Sequence, residues 1–205
     1  MVLAPLSHVH SRSSERGFTI IEMFVVVAVV SVVAVIAMPS TTRTLSDLRL
    51  RSDARNIHNM VGLAKMRAGS RFTRERLYVD LTTESYFLQY WDKTAGDWVN
   101  EEGSSTLSSD VSFGYGDLAT PPDSTQAAIG QAAACKNALA QTIAGTACVL
   151  FNSRGIPIDS TGAPTGNTAF YVTDNVTGVY GITVSATPLV RLWWSPLTVV
   201  SWVKK

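Results

Sequence analysis

The stretch RGFTIIE, Arg16–Glu22, runs directly into the apolar segment Met23–Met38 and decides how this chain is organised. Between Phe18 and Met38 there are 21 residues, and Glu22 carries the only charge among them. A helix of that length is about 31 Å long at about 1.5 Å per residue, close to the thickness of the hydrocarbon core of a bilayer. The sequence therefore predicts a membrane-spanning helix over residues 18–38 with one acid near its beginning.

Glu22 is the anomaly of that segment. A carboxylate in hydrocarbon costs on the order of a few kcal/mol, so an acid there is a functional feature by default. If the chain were cut between Gly17 and Phe18, the new α-amino group would lie four residues before Glu22, one helical turn away. Such an amino group would carry a positive charge at the depth where the acid needs one.

The residues Gly17–Glu22 resemble the class III signal of type IV pilins and type II secretion pseudopilins. The features that carry the resemblance are a basic leader, the glycine, a bulky apolar residue after it and one acid inside an apolar span. The resemblance implies that a prepilin peptidase removes residues 1–17 by cutting after Gly17 and methylates the new N-terminus at Phe18. It also implies that Glu22 pairs with the N-terminus of a neighbouring subunit during assembly.

The charges around the span predict its orientation. Arg12 and Arg16 precede it, so the positive-inside rule keeps the N-terminus cytoplasmic and sends the C-terminal bulk across the membrane. The resemblance implies that this is the bacterial inner membrane and that the C-terminal bulk faces the periplasm. An ordinary secretory signal is the competing interpretation, because Val35–Ala37 could serve a general signal peptidase. The apolar core of such a signal is usually ~7–15 residues long, whereas this one is longer and contains an acid.

Length, charge and cysteine content bound the remaining chain. The 205 residues suffice for one soluble domain plus an anchor, and the net charge of +1 does not by itself indicate nucleic acid or an acidic substrate. Cys135 and Cys148 lie in the half predicted to face outward, which suggests one disulfide formed in an oxidising compartment. Two unpaired buried thiols are the alternative.

Beyond the span, the sequence predicts that the helix continues. Pro39 ends or kinks a helix because it lacks an amide donor, and the resemblance implies a kink with continuation. Apolar residues then recur at alternating spacings of four and three, namely Leu50, Ala54, Ile57, Val61, Ala64 and Ala68. They predict an amphipathic helix over residues 39–69 that packs closely against a sheet, with a coiled-coil seam as the weaker alternative.

Basic residues cover the other faces of this helix and the turn after it. Between Arg43 and Arg76 there are nine Lys or Arg residues against three acids. They could bind DNA or acidic faces of neighbouring subunits, and the candidates for nucleic-acid contact are Arg71, Arg74, Arg76 and the distant Arg191. A solvated helix face is favoured, because no aromatic residues interleave with the arginines at stacking spacing.

After Gly69 the apolar period changes to two, which predicts antiparallel strands over residues 70–205. The predicted strands are 77–81, 86–91, 98–99, 111–113, 148–152, 168–173, 179–185 and 189–194. Residues 197–203 are one more strand or an apolar tail. Residues 117–146 are predicted to be a loop region with a short helix near Gln126–Leu139. The predicted fold class is α+β, a long N-terminal helix packed on an antiparallel sheet or β-sandwich.

The order of these elements carries a second, looser resemblance. The long helix, the hairpins and the C-terminal meander with Phe151–Pro157 resemble the GspH/FimT minor pilins and pseudopilins. The resemblance implies a structural subunit at the tip of a type IV pilus or a type II secretion pseudopilus. Its partners would be other pilin subunits, the prepilin peptidase and the inner membrane, with DNA or a secreted substrate at the tip as a weaker expectation. A major pilin, a non-polymerising anchored binding domain and a pilus-tip DNA receptor are the alternatives.

Motifs of catalysis and metal binding are missing from the sequence. It contains no Walker loop, no Cys-x-x-Cys and no His-Glu-x-x-His, and His58 is the only histidine outside the leader. The adjacent acids Glu101 and Glu102 stand in a Gly/Ser loop and are expected to be solvated. We therefore expect no catalytic residue, no metal and no cofactor, and a structural role instead of an enzymatic one.

Overall fold

The computed structural model describes residues 17–101 and 103–205, except for the side chains of residues 36–41. Clustering of contacts divides the chain into two compact units, Met1–Thr41 and Thr42–Lys205. The helix α1 runs over Ile20–Ser70, and antiparallel strands follow it. The predicted fold class, α+β with a long N-terminal helix and antiparallel sheets, is confirmed.

The N-terminal part of the chain contains three predicted features: a leader, a kink at Pro39 and a membrane span. The leader up to Arg16 lies outside the described residues. Pro39 falls within α1, but its side chain also lies outside them, so the kink stays a prediction. In the part of the chain that the structure describes, no helix is long and apolar enough to cross a membrane.

Two antiparallel sheets make up the rest of the second unit. The strands of the first sheet are β1 Glu75–Asp80, β2 Ser85–Asp92, β3 Asp97–Asn100, β4 Ser105–Thr106, β6 Thr146–Phe151 and β7 Pro157–Ile158. Those of the second are β5 Ser112–Phe113, β8 Thr168–Thr173, β9 Gly178–Val184, β10 Val190–Pro196 and β11 Val203–Lys204. The orders are β3-β2-β1-β6-β7, with β4 beside β2, and β11-β10-β9-β8-β5.

The apolar stripe of α1 forms the centre of the core. Its members have no exposed surface, namely Leu50, Ala54, Ile57, Val61, Ala64 and Ala68. They share one buried cluster with Leu77 and Val79 of the first sheet and with Phe170 and Ile182 of the second. The predicted packing of this helix against a sheet is confirmed, and the stripe contacts both sheets at once.

The predicted helix near Gln126–Leu139 is wrong, because this segment is irregular, with bends and turns but no helix. The side-chain amide of Gln131 pairs with the backbone of Tyr171 in β8: its Nε2 donates to the carbonyl at 2.8 Å, and its Oε1 accepts from the N–H at 2.9 Å. The amide of Cys148 donates to the carbonyl of Ala133 at 2.8 Å. Such hydrogen bonds to the sheets outweigh the helix propensity of the alanines.

The C-terminal segment is mostly a tail. Of residues 197–203, predicted to be a strand or a tail, only Val203 lies in a strand, β11, whose two residues pair with β10. Trp202 packs on the ring of Tyr171, and its indole N–H donates to the carbonyl of Thr120 at 2.9 Å. The short strands β4 and β7 were not predicted, since two residues are too few to show a period.

Candidate functional site

The first turn of α1 is organised by Thr19 and Glu22. The hydroxyl oxygen of Thr19 accepts the amide of Glu22 at 3.3 Å, and its carbonyl accepts the amide of Met23 at 3.2 Å. Thr19 is therefore the N-cap residue, and Glu22 lies in the first turn, where the helix dipole favours a negative charge. The spacing Thr-x-x-Glu is a recognisable helix-start pattern, so the sequence carried this signal too.

The side chains that follow the cap form an exposed apolar surface. All described side chains from Gly17 to Val35 are exposed, including Phe18 at 76% and Ile20 at 79%. Soluble proteins rarely expose a continuous apolar surface of this extent, and one that does so marks an interaction with a membrane or with other proteins. Gly17, Phe18 and Glu22 thus stand together at the start of such a surface.

The four candidate arginines for nucleic-acid contact do not lie together. Arg71 and Arg67 both form ion pairs with Glu101, and the guanidinium of Arg71 lies 4.8 Å from the ring centroid of Tyr90. The side chain of Glu101 is only 6% exposed, so the expectation of a solvated acid is wrong for this residue, while Glu102 lies outside the described residues. Arg71 is engaged within its own chain.

Arg74 and Arg76 lie, together with two tryptophans, on the face of the first sheet that is turned away from α1. The guanidinium of Arg74 is 4.4 Å from the ring centroid of Trp91, and that of Arg76 is 3.9 Å from Trp98. Trp91 pairs with Trp98 across β2 and β3, with their rings 5.3 Å apart. No aromatic residues interleave with the arginines along the chain, but neighbouring strands supply stacking partners that this spacing does not show.

Arg76 is also a structural link. Its Nε donates to Gln89 Oε1 at 2.7 Å, and its Nη1 donates to the carbonyl of Lys136 at 2.7 Å. Burial lowers its pKa to about 10, which still leaves it charged at neutral pH. Arg191, in contrast, lies on β10 of the second sheet. DNA contact by these residues stays a prediction.

The cysteines form the expected disulfide. Cys135 and Cys148 are bonded, with their Cα atoms 5.0 Å apart, so the alternative of two free thiols is wrong. The amide of Cys135 donates to the hydroxyl of Thr146 at 3.0 Å. The disulfide therefore fastens the irregular segment before Cys135 to β6, which contains Cys148.

Sequence reasoning missed a buried acid, Glu75, beneath the end of α1. Its side chain has no exposed surface, and within the described residues neither carboxylate oxygen has a hydrogen-bond partner. Burial raises its pKa to about 7, although the charges of Arg71 and Arg67 act to lower it. The period of two already placed position 75 on the same face as Leu77 and Val79, so the signal was available.

Comparison with known proteins identifies the N-terminal motif. Residues 12–38 match the prokaryotic N-terminal methylation motif. This match agrees with the resemblance of Gly17–Glu22 to the signal of type IV pilins and pseudopilins. Among solved structures, the minor pseudopilin EpsH from the type 2 secretion system of Vibrio cholerae is similar, with 12% identity, 70% of this chain and 95% of that chain covered, and a TM-score of 0.44. No curated protein matches the sequence.

Proposed function

We propose that this chain is a minor pseudopilin or minor pilin that is cut after Gly17, anchored by residues 18–38 in the bacterial inner membrane and assembled into a type II secretion pseudopilus or a type IV pilus. The observation that carries the proposal is the exposed apolar surface of α1 with one carboxylate in its first turn, directly after the methylation motif. The globular unit would face the periplasm and then the outside of the filament.

The proposed role of Glu22 is to set the register of assembly. In the membrane the apolar segment rests among lipids, and during assembly it moves among the segments of neighbouring subunits. A buried carboxylate is stabilised only where a positive N-terminus of another subunit meets it, so it favours one axial position over all others. Thr19 would still cap the helix after processing, because it would be the second residue of the processed chain.

Processing is tested by mass spectrometry of the N-terminus of the mature chain. We expect Phe18 as the first residue, with one added methyl group. An intact leader, or a first residue at Met38, would instead support a membrane-anchored binding domain that never polymerises.

Assembly is tested with Glu22→Ala in cells that form the filament. We expect the variant to insert into the membrane and to be missing from sheared filaments. Ser31→Ala is the matched control, because it removes a polar group from the same segment. Within the described residues, the hydroxyl of Ser31 donates only to the carbonyl of Val27, at 2.7 Å. Incorporation of the Glu22 variant at the level of this control would contradict the proposed role.

The minor character of the subunit rests on the resemblance of the β-rich unit to the GspH/FimT type and has its own test. Quantitative mass spectrometry of sheared filaments should find this chain in far fewer copies than the most abundant pilin. If it were the most abundant subunit, a major pilin forming the filament body would be the better assignment.

A further inference from the structure

A cavity of about 470 Å³ opens on the face of the first sheet that is turned away from α1. Arg74 and Arg76 with their two tryptophans form one wall, and the segment 133–140, which the disulfide fastens, forms the wall opposite. Cavities of about 300–1,000 Å³ are the usual size of binding sites for small ligands. The proposed function of the chain makes no use of this cavity.

The charges around the cavity are mainly positive. Arg74, Arg76 and Lys136 line it together with one acid, Asp159. The Oδ1 of Asp159 accepts hydrogen bonds within its own turn, from the amide of Thr161 at 2.8 Å and from the Thr161 hydroxyl at 2.6 Å. Asp159 keeps its charge, so three cations and one carboxylate give the lining a net positive charge, which suits an anionic ligand.

Arg74 is the cation best placed to bind such a ligand. The Nε and Nη1 of Arg76 already donate hydrogen bonds to Gln89 and to the carbonyl of Lys136. Within the described residues the guanidinium of Arg74 makes no hydrogen bond or ion pair, and it is held over the ring of Trp91. A guanidinium fixed over a ring keeps its N–H groups at its edge, where they can grip a carboxylate with two parallel hydrogen bonds.

The remaining lining of the cavity is partly apolar and partly polar. The apolar residues are alanines of the segment 133–140, the disulfide, Val149, Leu150, Pro157 and Ile158, and the polar ones are Asn137, Ser160, Thr165 and Thr168. Each indole already has one face covered by a guanidinium, which reduces the aromatic surface on which a nucleobase could stack. The apolar part of the lining suits an apolar side chain next to the carboxylate.

We propose that this cavity binds a peptide segment of a partner protein through an acidic side chain that stands next to a bulky apolar one. The carboxylate docks on the edge of the Arg74 guanidinium, and the apolar side chain packs against the disulfide-fastened segment. The site is independent of filament assembly, so its test and the assembly test can fail separately.

The test is isothermal titration calorimetry of the full chain in detergent micelles. The probe is a five-residue peptide, capped at both ends, with a glutamate between a phenylalanine and a leucine. Its matched control contains glutamine in place of the glutamate. Because a hydrogen bond to a charged group is worth about 1.5–3 kcal/mol, we expect the acidic peptide to bind at least tenfold more tightly than the neutral one.

Two variants locate the binding. Arg74→Gln should weaken binding of the acidic peptide about tenfold or more and leave the neutral peptide unchanged, whereas Arg191→Gln removes the same charge from the second sheet and should have no effect. Ala134→Phe keeps the charge but fills the cavity, and it should abolish binding of both peptides. Near-ultraviolet circular dichroism confirms that each variant is folded.

Other outcomes would overturn the proposal. Equal affinity for both peptides would remove the role of the carboxylate, and undiminished binding by Arg74→Gln would remove the role of this cavity. Absence of peptide binding up to millimolar concentration would refute the site altogether. Tighter binding of a ten-nucleotide single-stranded DNA, lost in Arg74→Gln, would assign the cavity to nucleic acid instead.

Discussion

Replacing Glu75 by glutamine isolates the effect of one buried carboxylate on the stability of the fold. In the structure, Arg67 and Arg71 form ion pairs with Glu101, while within the described residues the oxygens of Glu75 have no partner. An unpaired carboxylate that is removed from water prefers its protonated form. Glutamine has nearly the shape of that form and cannot ionise.

The magnitude follows from the pKa of Glu75, which burial raises from its ordinary value of 4.5 to about 7. Between these two values the folded chain binds more protons than the unfolded chain, so its stability falls as the pH rises. This contribution favours folding most at low pH and is lost as the pH rises through the folded pKa. At about 1.4 kcal/mol per unit of pKa, the loss between pH 5 and pH 8 is about 2–3 kcal/mol.

The assay is urea unfolding of the full chain in detergent, followed by tryptophan fluorescence at pH 5 and pH 8. All five tryptophans lie in the unit Thr42–Lys205, so the signal reports on that unit. We expect Glu75→Gln to differ little from the parent chain at pH 5 and to be about 2–3 kcal/mol more stable at pH 8. Taking the difference between the two proteins cancels the other titrating groups.

The opposite result would refute the reasoning. If Glu75→Gln were less stable than the parent chain at pH 8, the carboxylate would be charged and paired in the folded state. Glu101→Gln is the control that should lower the free energy of unfolding instead of raising it, because it leaves Arg67 and Arg71 without their buried partner. It should lose about 2 kcal/mol at pH 8.

Three further changes test the loop, a turn and a strand. Serine at both Cys135 and Cys148 should cost about 3 kcal/mol in urea unfolding, since the unfolded chain regains the freedom of the closed loop. Asp174→Ala should cost about 2 kcal/mol at pH 7, because its carboxylate accepts hydrogen bonds from its own turn and from α1. Gly181→Ala should cost about 1–3 kcal/mol, because the added Cβ would lie 2.9 Å from the ring of Tyr171.

Each change has a control. Reduction of the parent chain should reproduce the loss caused by the two serines, and no loss in either case would show that the disulfide does not restrain the loop. Burial acts to raise the pKa of Asp174, but its hydrogen bonds outweigh burial and hold the pKa below its ordinary value. The cost of Asp174→Ala should therefore shrink as the pH falls through that lowered pKa, and a pH-independent cost would contradict it. Gly130→Ala adds a Cβ with no atom within 4 Å and should be neutral, unlike Gly181→Ala.

Local rules explain what the sequence could predict. The stripe from Leu50 to Ala68 repeats at helical spacing, and all its members are buried. The segment 168–173 is a strand with the predicted bounds, and β1 and β2 form a hairpin where strands are predicted over residues 77–81 and 86–91. The methylation motif, which includes Gly17–Glu22, is likewise readable, because it consists of residues next to one another in the chain.

The missed features depend on contacts between distant segments. The side chain of Gln131 accepts a hydrogen bond from the backbone of β8 and so helps to keep its segment from forming a helix. No local pattern in the sequence indicates this hydrogen bond. The stacking of Arg74 on Trp91 needs the register of neighbouring strands, which becomes visible only when the sheet is assembled. Glu75 has no ion-pair partner because the two nearby arginines, Arg67 and Arg71, both form ion pairs with Glu101.

The stripe of α1 also determines where the globular unit can be separated from the apolar segment for work in aqueous buffer. Leu50 is fully buried beneath the sheets, and Ser46 donates a hydrogen bond of 2.7 Å to Asp174 in the turn between β8 and β9. A fragment that began at the first strand would leave both sheets with an uncovered apolar face and would be prone to aggregate. A fragment that begins at Thr42 retains this covering helix and is the natural choice for crystallisation.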